Sequence, residues 1–401
     1  MLNGKTVLLG VTGSIAAYKI ANLARMIKKS GGNVHVLMTR NAMNFINPYT
    51  FETLTQNKCL IDTFDRNFEY SVEHVALAKQ ADVVMIAPAT ANVNGKIAGG
   101  IADDILTTTV MACPCKKIIA PAMNHNMYHN PIVQDNIEKL EKYGYVIAEP
   151  DRGMLANGDM GDGRMIDDEE LFEYILREIH HTHDLKGKRV LVTAGATCEA
   201  IDPVRYITNN STGKMGVAIA RAASLRGADV TLVKGKTDVK APLFANVVHV
   251  KSAEDMYNAV MERAANADII IKAAAVADYT PESVADSKIK KNGSDMSIKL
   301  TRTRDILKEL GSKKRKGQFI CGFSMETENL LENSKNKLES KNADMICANS
   351  LRCEGAGFGT DTNVVTLITK KGAEELPKMS KFDCANIILD RIAEEVLAVC
   401  E

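Results

Sequence analysis

Short apolar segments alternate with helical patterns along the first part of the chain. Residues 5–11 (KTVLLGV) and 33–38 (NVHVLM) are apolar runs of strand length, and apolar residues recur at helical spacing from Ile15 to about Lys29. Ser14 stands where the N-cap of that helix belongs. This strand–helix–strand order predicts two parallel strands joined by a helix. Further strands are predicted at 81–87, 117–120 and 145–148, and a helix at 132–143.

The same pattern restarts in the second half. Residues 187–191 (GKRVL) repeat the arrangement of residues 4–8 (GKTVL), and each segment leads into a strand that ends in Thr and Gly. Later strands are predicted at 228–233, 268–273, 319–323 and 364–369. The pattern predicts an α/β fold of two tandem Rossmann-type three-layer domains with mainly parallel sheets. We place the domains at 1–180 and 188–401, with a linker at 181–187.

Composition narrows the class of protein. The 401 residues include 50 Lys and Arg against 50 Asp and Glu, so the net charge gives no sign of a nucleic acid or membrane partner. No run of about 20 apolar residues occurs, and the first residues lack the pattern of a secretory signal. Nine cysteines are scattered without a CxxC pair, which favours reduced thiols and a cytoplasmic location. Three linker histidines, His180, His181 and His183, allow a metal site, but a solvated linker is the favoured interpretation, and the metal ligands of the chain are otherwise unknown.

The turn after the first strand suits a phosphate. Gly13-Ser14 lies between a strand and a helix, where free backbone N–H groups and the helix dipole favour an anion. A single glycine does not make a GxGxxG motif, so a mononucleotide is favoured over a dinucleotide. Small, hydroxyl and amide side chains follow two later strands, at 87–92 (APATAN) and 121–124 (PAMN), and a glycine-rich flap follows at 153–164. Ligands of parallel sheets bind at this carboxyl edge.

These segments, together with His74, resemble the phosphopantothenoylcysteine decarboxylase family of flavoproteins over nearly the whole first domain. The resemblance implies FMN as cofactor and active sites assembled between the subunits of a trimer. It also implies that 4′-phosphopantothenoylcysteine is oxidised at its thiol and then loses CO2, with His74 as the base and with Asn124 and Met127 in contact with the substrate. Without the other motifs, a hydrogen-bonded surface histidine is the favoured interpretation of His74, and a turn residue is the alternative interpretation of Asn124. The FMN-binding residues that the resemblance implies are Gly13, Ser14, Ile15, Thr39, Thr90, Ala91, Asn92 and Ala122.

One residue departs from the pattern of that family. The family's flap reads Ala-Cys-Gly, and its cysteine protonates the enethiol intermediate, whereas this chain has Asn157 at that position. An amide cannot act as a thiol acid near neutral pH. We therefore expect the domain to bind FMN and substrate but to finish the reduction poorly, or with another donor. The alternative function is a ligase-only enzyme whose flavin domain is impaired.

Polar residues mark the start of the second domain. Residues 202–207 (DPVRYI) lead into 208–216 (TNNSTGKMG), a candidate cradle for a phosphate and an acyl group ahead of a helix predicted to end near Arg226. The second segment is not a Walker A motif, because Met215 follows Lys214. An ordinary capped helix start is the alternative interpretation.

A basic segment follows the strand that leads into residues 273–279 (AAAVADY). From residue 288 to residue 316 there are eleven Lys or Arg against three Asp or Glu. A triphosphate is a compact partner for such lysines, and a solvated basic loop is the alternative. Nucleic acid is disfavoured, because the basic segment contains no aromatic residue for base stacking from residue 288 until Phe319. Lys337 and Lys341 are spaced to share one helix face, where two like charges are unfavourable unless an anion joins them.

Together these segments resemble phosphopantothenate–cysteine ligase of the type fused behind the decarboxylase. The resemblance covers most of residues 188–401 and implies CTP with Mg2+, 4′-phosphopantothenate and L-cysteine as ligands. It implies an acyl-cytidylate intermediate stabilised by Asn209 and phosphates neutralised by Lys288. The residues that it places around the nucleotide are Ala274, Ala275, Asp278, Lys288, Arg304, Asp305, Ile306, Leu307, Phe323, Lys337 and Lys341.

The two resemblances together imply a bifunctional enzyme of coenzyme A biosynthesis. Its ligase would make the phosphopantothenoylcysteine that its flavin domain consumes. The trimeric flavin domain and a dimeric ligase domain would build a larger homo-oligomer, such as a dodecamer. A nonenzymatic nucleotide-binding or regulatory protein is the remaining alternative.

Overall fold

The chain forms two compact units, Met1–His181 and Thr182–Glu401. The computed structural model describes residues 2–63, 73–155, 158–179, 183–290, 296–326, 329–350 and 359–397. Among these residues, no helix is long and apolar enough to cross a membrane.

The first unit is built on a five-stranded parallel sheet with the strand order β2-β1-β3-β4-β5. A short antiparallel hairpin, β6–β7, follows the sheet and corresponds to the glycine-rich flap. The strands are β1 (Thr6–Val11), β2 (Asn33–Met38), β3 (Val83–Ala89), β4 (Lys116–Pro121), β5 (Val146–Ile147), β6 (Asp151–Met154) and β7 (Met160–Arg164).

Helices cover this sheet because its strands are apolar on both faces. Leu8, Ile86 and Ile119 are fully buried in one cluster with Leu106 of α5 and Ile137 of α7. The α-helices are α1 (Lys19–Lys29), α2 (Pro48–Thr55), α3 (Glu73–Gln80), α4 (Ala91–Gly99), α5 (Ile105–Ala112), α6 (His125–Tyr128), α7 (Pro131–Lys142) and α8 (Asp168–Ile179). Two 3-10 turns, Ile15–Tyr18 and Arg40–Asn44, follow β1 and β2.

The second unit has an eight-stranded sheet with the order β12-β11-β8-β13-β16-β17-β19-β20. Its strands are parallel as far as β17, and β19 and β20 join antiparallel at one edge. The sheet strands are β8 (Arg189–Ala194), β11 (Asp229–Lys234), β12 (Ala245–His249), β13 (Ile269–Lys272), β16 (Phe319–Glu326), β17 (Met345–Ser350), β19 (Val365–Thr369) and β20 (Gly372–Glu375). Short paired strands outside it are β9 (Cys198–Ala200) with β10 (Tyr206–Thr208), β14 (Tyr279–Pro281) with β15 (Leu300–Arg302), and β18 (Thr362–Asn363) with β21 (Met379–Ser380).

Alternate residues of the central strands point to opposite layers of helices. Ile271 packs in the cluster with α9 and α13, whereas its neighbour Ile270 packs in the cluster with α10, α11 and α12. This is the three-layer arrangement that the sequence predicts. The helices are α9 (Lys214–Leu225), α10 (Ala253–Ala264), α11 (Ile306–Ser312), α12 (Leu330–Ser340) and α13 (Lys381–Leu397).

Some local predictions need correction. The predicted helix from Ile15 begins as a 3-10 turn and becomes an α-helix only at Lys19, a common arrangement at helix starts. Lys337 lies in the last turn of α12, which ends at Ser340, and Lys341 is its C-cap, whose backbone amide donates to the carbonyl oxygen of Lys337 at 3.1 Å, so the predicted helical spacing of the two lysines is retained. The short strand pairs β9–β10 and β14–β15 were not predicted, since three-residue strands leave no usable periodicity.

Candidate functional site

The carboxyl ends of the central strands of the first unit surround a cavity of about 740 Å³. The loops that leave β1, β2, β3 and β4 all contribute to it, as expected for a parallel sheet. The predicted flavin residues that line it are Gly13, Ser14, Thr39, Thr90, Ala91, Asn92 and Ala122. Ile15 instead lines an adjacent cavity of about 540 Å³, which shares Ser14 and Ala122 with the first.

A buried threonine fixes the two loops that approach each other across this cavity. The Thr12 hydroxyl donates to the carbonyl oxygen of Pro88 at 2.6 Å and accepts from the backbone amide of Thr90 at 3.2 Å. Thr12 is fully buried, so each of these bonds replaces contact with water. The loop after β1 has no room for a larger residue, because a Cβ on Gly13 would lie 2.7 Å from the Cβ of Asn41. Ser14 caps the turn after it through the amide of Ala16.

Charged side chains close one side of the larger cavity. Lys96 pairs with Asp103 at 2.7 Å and with Asp104 at 3.3 Å. The hydrogen bond with Asp103 raises the pKa of Lys96, so this ammonium stays charged. Asp104 also forms a capping box at the start of α5. These three residues lie in the segment that directly follows residues 87–92, but the sequence assigned none of them a role.

The predicted substrate residues of the first unit lie at the second cavity and its rim. Asn124 caps α6 by accepting from the amide of Asn126 at 2.9 Å, and it lines the second cavity together with Met154 and Leu155 of the flap. Met127 lines the first cavity and is exposed. Asn157 lies outside the described residues.

His74 lies apart from these groups. It is half-buried near the start of α3, a helix that packs against α5, and it lines neither cavity. Within the described part of one chain, the predicted base is therefore not brought together with Asn124.

In the second unit, a cavity of about 140 Å³ lies where α9 begins. It is lined by residues of the predicted cradle, including Ser211 and Lys214, and by Ala274, Ala275 and Phe323 from the ends of two adjacent strands. Asn209 is exposed and donates its side-chain amide to the carbonyl oxygen of Ala275 at 3.2 Å.

The first residue of residues 202–205 (DPVR), Asp202, has a structural role. The Asp202 carboxylate is buried and accepts from the amides of Val204, Arg205 and Ile289 at 2.7 to 3.2 Å. These bonds fix the start of the basic segment, and they leave the neighbouring Lys288 exposed. Lys288 contacts none of the other predicted nucleotide residues through a bond that the structure records, so its role stays a prediction.

A second group of predicted residues lies on the α11–α12 side of the same sheet. Asp305 caps α11 through the amide of Lys308 and pairs with Lys341 at 2.7 Å. Burial raises the pKa of Asp305, but the hydrogen bonds from Lys341 and Lys308 outweigh it, so the net pKa is lowered. Lys337 donates to the carbonyl oxygen of Phe323 at 3.1 Å. Asp305 thus supplies a negative charge for Lys341 from within the protein.

Four of the predicted nucleotide-binding residues differ in which of their atoms are accessible to a ligand. Ile306 and Leu307 are buried in the core, so only their backbone amides at the start of α11 can reach a ligand. Asp278 is exposed at the carboxyl edge of the sheet. The Arg304 guanidinium lies over the ring of Tyr257, 4.6 Å from its centroid, and 3.8 Å from a carboxylate oxygen of Glu254.

The basic segment carries less free charge than its composition indicates. Lys313 pairs with Glu309 at 2.8 Å, and Lys314 pairs with Asp344 at 2.5 Å. Asp344 lies outside the segment, so counting charges within 288–316 could not reveal that second pair.

Lys272 is a residue of this group that the sequence interpretation missed. It is half-buried at the carboxyl end of β13, next to the strand position of Gly322. Burial and the charge of Lys337 lower the pKa of Lys272 to about 8, against the opposing charges of Asp305 and Asp278. The available signal was a single lysine that ends an apolar strand directly before residues 273–279.

Two family models match the chain. The model described as "Flavoprotein" matches residues 1–180, and the model described as "DNA/pantothenate metabolism flavoprotein C-terminal domain" matches residues 185–396. The bifunctional coenzyme A biosynthesis protein CoaBC of Bacillus subtilis is 47% identical over 98% of this chain and 98% of that protein. The CoaBC protein of Haemophilus influenzae is 42% identical over 98% of each. A crystal structure of a CoaBC C-terminal domain is 45% identical and covers 54% of this chain and 99% of that one, with a TM-score of 0.47. The chain therefore belongs to the CoaBC family of bifunctional coenzyme A biosynthesis proteins.

Proposed function

We propose that the chain is a phosphopantothenate–cysteine ligase and a phosphopantothenoylcysteine decarboxylase. The observation that carries the proposal is similarity to bifunctional CoaBC proteins over 98% of both chains, which leaves neither half out. The ligase would join 4′-phosphopantothenate to L-cysteine with CTP, and the first unit would decarboxylate the product to 4′-phosphopantetheine. Full-length similarity favours two activities over a ligase-only protein.

The residues of the first unit fit FMN. The larger cavity has small residues on one wall, and backbone amides at Gly13 and Ser14 suit the phosphate group. The hydroxyl of Thr39 at its edge is buried without a hydrogen-bond partner among the described residues, a group that a bound ligand would satisfy. FMN would supply an acceptor for the electrons of the substrate thiol.

The other residues of the first unit would orient the substrate and move protons. We assign Asn124 to the substrate carboxylate, with Met127 against the same molecule. His74 would serve as the base from a neighbouring subunit of a trimer, which is consistent with its position outside both cavities of its own chain. A dimer through the second unit would then complete a larger homo-oligomer.

In the second unit, the cations beside α11 and α12 would bind the triphosphate of CTP. Lys272, Lys337 and Lys341 provide positive charge there, Lys288 would add a fourth, and Mg2+ would accompany the nucleotide. The substrate carboxylate would attack the α-phosphate, so that a C–O–P bond forms and pyrophosphate leaves. Cysteine's amine would then attack the acyl carbon and release CMP. Asn209, beside Ala275, would donate to the developing oxyanion.

A single reaction mixture tests both activities. Purified protein is given CTP, Mg2+, 4′-phosphopantothenate and L-cysteine, and pyrophosphate, CO2 and the thiol products are measured. We expect pyrophosphate only when 4′-phosphopantothenate is present, and a yellow protein with flavin absorbance. Pyrophosphate without CO2 would remove the decarboxylase half of the proposal, and a colourless protein that stays inactive with added FMN would do the same. The cytoplasmic location stays a prediction from the cysteine pattern.

A further inference from the structure

Two histidines and one aspartate converge where the flap meets α6. His125 and His129 are four positions apart at the start and the C-cap of α6, and Asp162 lies in strand β7 of the flap. The ligand atoms that these three side chains offer all lie within 4.8 Å of one another. None of the three is assigned to flavin or substrate in the proposed function.

The distances within this His–Asp cluster suit a small divalent cation. His129 Nε2 lies 2.8 Å from the Asp162 Oδ2, and His125 Nδ1 lies 3.9 Å from the same oxygen. Bond lengths of about 2.1 Å in a tetrahedral zinc site place ligand atoms about 3.4 Å apart. The two distances from Asp162 bracket that separation, and the two histidine nitrogens lie within 4.8 Å of each other, so side-chain adjustments of roughly an ångström would bring all three ligands into place.

The spacing along the chain also favours a metal. Histidines at positions i and i+4 of a helical segment project to one side, which is the arrangement used by two-histidine zinc sites. The carboxylate completes a set of three protein ligands and leaves a fourth position for water. Binding through His125 Nδ1 replaces one hydrogen bond, the 3.2 Å bond that this atom accepts from the Asp162 amide.

The flap and α6 are already packed closely enough to share a metal. A Cβ on Gly161 would lie 2.9 Å from the Cβ of His125, so only glycine permits this approach. The amide of Met123 donates to the carbonyl oxygen of Gly163 at 3.0 Å, one residue beyond Asp162. A cation bound here would connect the flap to the segment that carries Asn124.

We propose that His125, His129 and Asp162 form a site for a divalent transition-metal cation of the zinc class, which ties the flap hairpin to α6. The site is distinct from the Mg2+ expected with CTP, because imidazole ligands favour zinc-like ions and Mg2+ prefers oxygen. Its occupancy would set how readily the flap leaves the cavity that Met154 and Leu155 line.

Zinc titration by calorimetry tests the site in the full-length protein. The linker histidines are a competing ligand, so His180, His181 and His183 are first changed to Gln in a parent variant. We expect one Zn2+ per chain in that parent, and affinity lowered at least about tenfold by His129→Gln or by Asp162→Asn. His249→Gln removes an exposed histidine of the second unit and serves as the matched control, with no expected change.

Hydrogen exchange supplies a second readout. Peptides that span residues 158–165 should exchange more slowly when Zn2+ is added to the parent variant, and should not respond in His129→Gln. Exchange without zinc shows whether each variant is folded. Unchanged zinc affinity in both ligand variants would overturn the proposal. An absence of zinc binding in the parent variant would also overturn it, and faster flap exchange in His129→Gln would then assign the cluster to hydrogen bonding alone.

Discussion

We predict that the charged Lys272 lowers the free energy of unfolding of the second unit and also helps to bind CTP. We expect Lys272→Met to make the second unit more stable at pH 7 and to weaken its binding of CTP. The stability effect arises because burial and the neighbouring Lys337 oppose the charged form of Lys272. Methionine keeps the length of the side chain and removes the charge.

The size and the sign of the stability effect follow from the pKa. Lowering the pKa of Lys272 from 10.5 to about 8 corresponds to at most about 3 kcal/mol at pH 7, where the ammonium is charged in both the folded and unfolded states. Between about pH 8 and 10.5 the unfolded chain binds the proton and the folded chain has lost it, so stability rises with pH. At pH 9.5 only about 1 kcal/mol of the cost remains. The advantage of Lys272→Met should therefore shrink by more than half between these two pH values.

The change in stability is measured by urea unfolding, with hydrogen exchange of peptides from β13 and β16 as the probe, so that only the second unit is monitored. Lys335→Met is the matched control, because Lys335 is an exposed lysine on α12. It should give the same small change at pH 7 and pH 9.5. An equal stability of wild type and Lys272→Met at pH 7, or a difference that grows toward pH 9.5, would refute the reasoning.

The binding effect is measured separately. Loss of one charged hydrogen bond to phosphate should weaken CTP about tenfold or more at pH 7. Wild-type affinity should fall as the pH rises through about 8, and Lys272→Met should lose that dependence. If the stability effect appears without the binding effect, the electrostatic argument stands and the assignment of Lys272 to CTP fails.

Three further substitutions test the proposed sites. Thr12→Val leaves the carbonyl of Pro88 and the amide of Thr90 without their buried partner, so FMN should dissociate at least about tenfold faster. Flavin fluorescence measures this rate, and equal retention of FMN would contradict the role of this hydroxyl. Asn157→Cys should raise the yield of saturated thiol product over enethiol in a product assay, and an already saturated product in wild type would remove the predicted block. Asn209→Ala should slow ligation about a hundredfold with little change in CTP binding, and a matching loss of CTP affinity would assign Asn209 to the nucleotide instead.

The residues that line the larger cavity of the first unit were predicted more completely from the sequence than the contacts around Lys337 and Lys341, and the reason is physical. Each predicted flavin residue follows directly after a strand of a parallel sheet, and those strand ends meet at one edge. Local pattern therefore determines which side chains come together. Ile15 is the exception, because it lies one residue beyond the shared turn and points into the neighbouring cavity.

The nucleotide group depends on contacts between distant segments. The spacing of Lys337 and Lys341 gave no sign of Asp305, the partner of Lys341, which lies 36 residues away. The count of basic residues could not include Asp344, which neutralises Lys314. The sequence provided little indication that Lys272 belongs to this group. Its pKa is lowered by burial and by the charge of Lys337, which lies on another element, so the pattern around one lysine at a strand end could not show it. The sequence therefore shows which charged residues are present, but the fold determines which of them form ion pairs.

Each candidate site contains a polar group that is energetically unfavourable without a ligand, so a ligand that contacts this group should stabilise the unit that contains it. In the first unit the buried hydroxyl of Thr39 lacks a partner among the described residues, and in the second the ammonium of Lys272 is held among other lysines. A ligand that satisfies such a group binds the folded state only, so it stabilises the unit that contains the group. FMN should therefore slow hydrogen exchange in the sheet of the first unit, and CTP in that of the second. Stabilisation of both units by either ligand alone would mean that the two sites are energetically coupled, which neither set of local contacts requires.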